Sequence, residues 1–286
     1  MKVYGYYHRD DLDGQFSAAV MKKKYPEIEL WGMDYGDENI PLAKDYDIII
    51  MSDISMPRDK MEFLKDNNKQ LLWFDHHKGT IEDIESHLGK IDGIRDTGNM
   101  YSGCVLTWKG LFPDRKIPYI LEIIQDLDLW KFRIPETSPI TLALEMDHRM
   151  QIVYFMDMLN NSEETKNELL SLQSTGEIYI NMREHIIDKA IKDVTLMNWN
   201  GYNVGLVNAH MFKSHIGNAL LDENDVIQVA MIWHMNKGKI KISLRSRGNI
   251  DVSVIAGKYD GGGHKAASGF VCETIDDFLC VLDKEE

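Results

Sequence analysis

The 286-residue sequence predicts an α/β protein: an N-terminal parallel-sheet domain, a helical connector and a smaller C-terminal α/β domain. Short apolar runs alternate with helical patterns over roughly the first half, as in a parallel sheet covered by helices. Several of those runs end on carboxylates or imidazoles, as strands do where they deliver side chains to the carboxyl edge of such a sheet. A second series of strands opens near Asn198, after a stretch without strand signals.

Val3–Tyr7 reads as the first strand, followed by His8-Arg9-Asp10-Asp11-Leu12-Asp13-Gly14 and a helical pattern from Ser17. Ile28–Met33 is a further strand candidate. Tyr46–Met51 is strand-like and closes on Ser52-Asp53, with Pro57 favouring a new helix start. Leu71–Phe74 reads as a buried strand ending in Asp75-His76-His77, and Ile91–Arg95 as another strand. Cys104–Leu111 and Pro118–Ile124 look helical, the latter running into Asp126-Leu127-Asp128-Leu129-Trp130. These elements make residues 1–150 one domain. Residues 151–197 form the connector, with helical spacing at Ile178, Met182, Ile186, Ala190 and Val194 and a break at Gly176. Residues 198–286 form the last domain, with strands near Val204–Asn208, Val226–Trp233 and Lys239–Arg245 and helices near Ser214–Leu221 and Ile275–Leu282.

Composition sets limits on function. Apolar content of 44% and charged content of 27% are those of a globular chain. A net charge of -14 argues against a broad basic face for long duplexes. Lys237, Lys239, Lys241, Arg245, Arg247, Lys258 and Lys265 nevertheless outnumber Asp251 and Asp260 in one C-terminal stretch. An acidic body with one basic patch suits short or small anionic substrates. Met1-Lys2-Val3 enters a strand without a signal-like apolar region, and no apolar run reaches membrane-spanning length. The three cysteines, Cys104, Cys272 and Cys280, lack paired spacing and read as free thiols of a cytoplasmic protein.

Each acidic cluster taken alone reads as a helix cap or a solvated loop. Brought to one sheet edge, they would place too many negative charges together without cations. A pair of divalent ions bridged by one carboxylate resolves that repulsion and supplies a reaction centre. Mixed imidazole and carboxylate donors suit manganese, with iron or cobalt as substitutes. In the last domain, Arg245 can fork onto a phosphate. Gly261, Gly262 and Gly263 let backbone N–H groups approach an anion, with His264 as a further donor.

His8-x-x-Asp11-x-Asp13-Gly14, the lone Asp53, Asp75-His76-His77 and Asp128 resemble the four motifs of the DHH phosphoesterase superfamily. Ser243-Leu244-Arg245-Ser246, Asp251-Val252-Ser253 and the run from Gly261 to Phe270 are similar to its substrate-binding DHHA1 domain. The resemblance implies that His8 and Asp11 hold one manganese ion. It implies that Asp13, His76 and Asp128 hold a second and that Asp53 bridges the two. His77 would touch substrate phosphate, and Asp75 would complete the site or orient a ligand imidazole. Arg245, Ser246, Gly261, Gly262, Gly263 and His264 would bind substrate. Asp10 competes with Asp11 in this reading, and Asp126 with Asp128.

The implied activity is manganese-dependent hydrolysis of short single-stranded oligoribonucleotides or small nucleotide phosphates such as 3′-phosphoadenosine 5′-phosphate. Cyclic or linear dinucleotides and polyphosphate are alternative substrates. A metal-dependent nucleotide sensor without turnover is the reading from another class. A homodimer stays open.

Overall fold

The computed structural model describes residues 1–147 and 151–283. The chain divides into two compact units, Met1–Ile180 and Asn181–Glu286. The expected boundary at residue 150 lies outside the described residues.

The first unit contains β1 (Val3–His8), α1 (Leu12–Lys24), β2 (Glu29–Met33), β3 (Ile48–Ser52), α2 (Arg58–Asp66), β4 (Leu71–Phe74) and α3 (Lys78–Leu88). Helices α4 (Gly103–Leu111), α5 (Tyr119–Asp128), α6 (Thr137–Met146), α7 (Ile152–Met158) and α8 (Glu163–Lys192) follow, and the division between units falls inside α8. The four strands pair in parallel in the order β2-β1-β3-β4. Both faces are covered, so the strands read as continuous apolar runs. Along β3, Ile50 packs with α1, α4 and α5 residues such as Phe16, Val105 and Ile124. Its neighbours Ile49 and Met51 pack on the opposite face with Met61, Leu64, Ile81 and Ile84 of α2 and α3. Helix α2 begins directly after Pro57, where the fixed φ of proline favours entry.

The structure departs from two sequence expectations in this unit. Ile91–Arg95 is not a strand; it runs beside β4 through isolated bridges, Leu72 to Asp92 and Asp75 to Arg95. Gly93, at φ +112°, breaks the extended run, and a side chain there would come within 2.2 Å of the Trp73 carbonyl oxygen. Gly176 does not break its helix. A Cβ at this position would lie 1.8 Å from the Pro139 carbonyl oxygen, so glycine lets α8 approach the start of α6.

The second unit adds β5 (Thr195–Trp199), β6 (Tyr202–Asn208), α9 (Lys213–Glu223), β7 (Val229–Asn236), β8 (Lys239–Ser246), α10 (Val252–Gly257), β9 (Gly262–His264), β10 (Ala267–Cys272) and α11 (Ile275–Leu282). Strand β5 thus begins three residues before the expected start of the last domain at residue 198. The six strands form a mixed sheet ordered β5-β6-β7-β8-β10-β9, with only β6 and β7 parallel. One face packs Met231, Ile242 and Leu244 against α10 and α11; the other packs Ala230 and Ile232 against α9. All three cysteines are free. Among the described residues, no helix is long and apolar enough to cross a membrane.

Candidate metal centre

The carboxyl edge of the first sheet gathers the side chains that the sequence singles out. His8 is the last residue of β1. Asp11 caps α1: one carboxylate oxygen accepts from the Gly14 amide at 2.8 Å, and the other pairs with His8 Nδ1. A Cβ on Gly14 would lie 2.0 Å from the His8 carbonyl oxygen, so glycine seats the helix start against the strand end. Asp10 projects into solvent beside Arg9. Of the two competing residues, Asp11 therefore faces the cluster.

Asp13 is buried and accepts from the Gly103 and Cys104 amides at 2.6 and 3.0 Å. It caps α4 from across the fold and meets the positive end of that helix. Gly103 also sits under Asp53, where a Cβ would lie 2.5 Å from the Asp53 Cβ. Asp53 follows β3 with φ +59°, a left-handed value uncommon for residues other than glycine. Such strain concentrates at functional positions. Its amide donates to the Phe74 carbonyl at 2.9 Å, holding the turn.

His76 Nε2 stands 3.2 Å from Asp53 Oδ1, 3.5 Å from Asp128 Oδ2 and 4.0 Å from Asp13 Oδ2. Asp53 Oδ2 points the other way, 3.7 Å from His8 Nδ1, and has no hydrogen-bond partner although Asp53 is only 1% exposed. Donor atoms fall into the groups His8–Asp11–Asp53, Asp13–His76–Asp128 and Asp53–His76–His77, each within 4.8 Å. Asp53 thus takes part on both sides.

Electrostatics reflect this crowding. Burial and then the Asp13 charge push the Asp53 carboxyl well above its ordinary value. Burial and Asp13 likewise raise Asp128 to about 7. Burial works against charge on His8, yet pairing with Asp11 and Asp53 raises it to about 10. A divalent cation fits an arrangement of this kind: it relieves carboxylate repulsion and gives the orphaned Asp53 oxygen a partner. The donor set is nitrogen and oxygen. Cys104, fully buried, has its thiol pushed up by burial and by Asp13, which disfavours a thiolate ligand.

Asp126 does not face this cluster. Its carboxylate accepts from the Arg133 and Ile134 amides, both at 3.0 Å, and from the Thr137 hydroxyl at 2.7 Å. Asp75 is also spoken for. It is fully buried and accepts from Trp73 Nε1 at 3.1 Å, the His76 and His77 amides at 2.7 and 3.1 Å, and His77 Nδ1 at 2.7 Å. The interaction fixes the His77 ring and leaves Nε2 as its outward atom. Burial opposes charge on His77, and Asp75 raises its pKa against that. Asp75→Asn is expected to lower kcat about 10- to 100-fold, the usual effect of removing a partner that orients a working imidazole. The alkaline limb of the pH–rate profile should also move to lower pH, because His77 loses the charge that keeps it protonated. An unmoved profile would leave Asp75 a purely structural part.

Sequence reasoning misses Asp34 and Tyr35. Asp34 follows β2, and its Oδ1, buried without a hydrogen-bond partner, lies 3.6 Å from His8 Nε2. The Tyr35 ring lies 6.0 Å from His8 and 5.9 Å from His77. The signal was present: Asp34 is another acid at the end of an apolar strand.

In the second unit, Arg245 pairs across the sheet with Ala267, which pairs in turn with His264. Both long side chains therefore project from one face, flanking an alanine. The Arg245 guanidinium donates to Ser214 Oγ at 2.7 Å. Ser246 lies on the opposite face; its hydroxyl is buried and donates to the Ile250 carbonyl at 2.9 Å, bracing the turn. The three glycines differ. A Cβ on Gly261 would strike the Gly269 carbonyl at 2.2 Å, Gly262 faces open space, and Gly263 sits at φ +137°.

The sequence profile of the DHHA1 domain matches residues 207–285, behind a first unit carrying the His8–Asp13, Asp53, Asp75–His77 and Asp128 segments in order. The chain carries a DHHA1 domain. Among similar proteins, the uncharacterized protein R106 of Acanthamoeba polyphaga mimivirus is 30% identical over 237 residues, covering 79% of this chain and 53% of R106. The chain thus spans about half the length of that relative. The oligoribonuclease NrnB of Bacillus subtilis is 23% identical, covering 96% of this chain and 74% of NrnB. The pGpG-specific phosphodiesterase PggH of Vibrio cholerae shares the fold at a TM-score of 0.59 and 16% identity, over 98% of this chain and 96% of PggH.

Proposed function

We propose that this protein is a manganese-dependent DHH phosphohydrolase of the cytoplasm that cleaves short oligoribonucleotides or small nucleotide phosphates such as 3′-phosphoadenosine 5′-phosphate. The observation that carries the reading is Asp53, whose two oxygens face separate donor groups, one of them with no hydrogen-bond partner. In this reading His8 and Asp11 hold one ion, Asp13, His76 and Asp128 hold the other, and Asp53 bridges. Two divalent ions so held would supply an acidified water and a clamp on the phosphoryl oxygens.

The chain's own groups do the rest. His77, braced by Asp75, presents Nε2 to a phosphate oxygen and neutralises charge developing there. Asp13 keeps its carboxylate aimed by holding the α4 amides. Arg245 and His264, on one face of the second sheet, offer donors to an anionic ligand of that unit, whereas the Gly261 amide is taken by the Ala256 carbonyl at 3.0 Å. Similarity to NrnB, named for action on oligoribonucleotides, favours short RNA.

A product profile with purified protein and manganese tests the reading. The substrates would be short RNA, 3′-phosphoadenosine 5′-phosphate, a linear and a cyclic dinucleotide, and tripolyphosphate. Mononucleotides from RNA, or phosphate from the adenosine bisphosphate, are expected. Consumption of only the cyclic dinucleotide or tripolyphosphate would keep the mechanism and overturn the substrate. Binding of metal and nucleotide without turnover of anything would favour a nucleotide sensor.

A further inference from the structure

Two aromatic residues beside Asp128 have no part in this chemistry. After α5 ends at Asp128, the chain turns so that Trp130 and Phe132 take φ of 53° and 47°. Bulky residues rarely adopt these values, and a turn that holds two of them must be over-determined. Asp126 does this: its carboxylate takes three donors from residues 133 to 137, and its carbonyl accepts from the Lys131 amide at 2.9 Å. The strained turn does not bury its aromatics. Trp130 is 50% exposed and Phe132 38%, with their rings 4.8 Å apart and edge-to-face.

Trp130 also lines a cavity of about 250 Å³ whose other walls include Asp11, Asp13, Asp128 and Leu127. An indole and the proposed metal-holding carboxylates therefore border the same space. A nucleotide carries the complementary pair, a planar base and a phosphate. We propose that Trp130 is the stacking platform for the nucleobase next to the scissile phosphate, held edge-on by Phe132. This rests on the phosphohydrolase reading and deepens it. Stacking on an aromatic ring accepts any base, since every base offers a π-face. The substrates are therefore base-bearing nucleotides of relaxed sequence, and base-free polyphosphates are poor ones.

The test compares the full chain with W130A and W130F, in manganese, on a dinucleotide and on the same compound lacking the base at one end. Wild type is expected to prefer the base-bearing compound by about tenfold or more, the usual range for one stacked base. In W130A that preference should collapse through KM, and W130F should restore most of it. A preference that survives in W130A, or an equal loss on both compounds, would overturn the proposal. A separate arm uses adenosine monophosphate as a quencher of tryptophan fluorescence. Quenching should drop in W130F, whose other five tryptophans remain out of the six in the chain. If no compound is hydrolysed, the phosphohydrolase reading fails alone, and equal quenching in both proteins would then refute stacking.

Discussion

Asp53→Asn is expected to lower turnover by about a thousandfold, roughly 4 kcal/mol of transition-state stabilisation. The substitution preserves shape, and asparagine tolerates the φ of +59° as well as aspartate does. The amide bond to the Phe74 carbonyl also stays. What changes is the charge shared by the two donor groups, so manganese titration should show weaker binding and a lost site. Normal turnover with full metal content would refute the proposed bridging role of Asp53.

The pH dependence of metal binding follows from the same crowding. With Asp128 raised to about 7 and Asp53 raised well above its ordinary value, protons occupy these carboxylates in the metal-free protein. Manganese must displace them, together with the proton that His8 holds up to about 10, so its affinity should fall as pH drops from about 10 and more steeply through about 7, with proton release seen by calorimetry. The sign for stability runs the other way. A carboxyl whose folded pKa is raised costs stability from its ordinary, unfolded pKa upward, because the unfolded chain ionises first, and the cost is complete at the folded pKa. Metal-free Asp53→Asn should therefore melt at a higher temperature than wild type at neutral pH, while being nearly inactive.

Asp126→Ala should act in the opposite sense, costing about 3 kcal/mol in urea unfolding. Two backbone amides and a threonine hydroxyl lose their buried acceptor, and each unsatisfied donor costs roughly 1–3 kcal/mol. Burial works against charge on Asp126, but these donors hold its pKa below the ordinary value. Its contribution is therefore present above the ordinary carboxylate pKa and fades as the pH falls below it. Asp128→Ala removes a carboxyl that burial and Asp13 disfavour, and should lose metal without such a loss of stability. Equal destabilisation by the two substitutions would refute this division of labour.

The strand-end acids were legible because apolar strands and their terminal residues are local patterns, and a parallel sheet sends them to one edge. The choice between Asp126 and Asp128 was not. The two differ in direction only because α5 ends at Asp128 and the following turn folds back over Asp126. The second task of Asp13, capping α4, depends on partners 90 and 91 residues away. Glycine signals misled for a related reason. Gly176 answers to a neighbouring carbonyl, not to its own helix. Asp34 is legible by the same rule as Asp53, an acid directly after a strand.

If Arg245 and His264 bind anions as proposed, the row Arg245–Ala267–His264 makes ligand selectivity in the second unit a matter of strand indexing. Strand β9 is a three-residue edge strand paired with β10, and side chains alternate faces along it. A slip of one residue would turn the His264 imidazole to the other side of the sheet, away from Arg245. The pins against such a slip are Gly263, in a conformation that favours glycine, and Gly261, pressed against the Gly269 carbonyl. The length of the Lys265–Ala266 turn thereby becomes a dial: adding or removing one residue there would change which groups share a face without altering any of them.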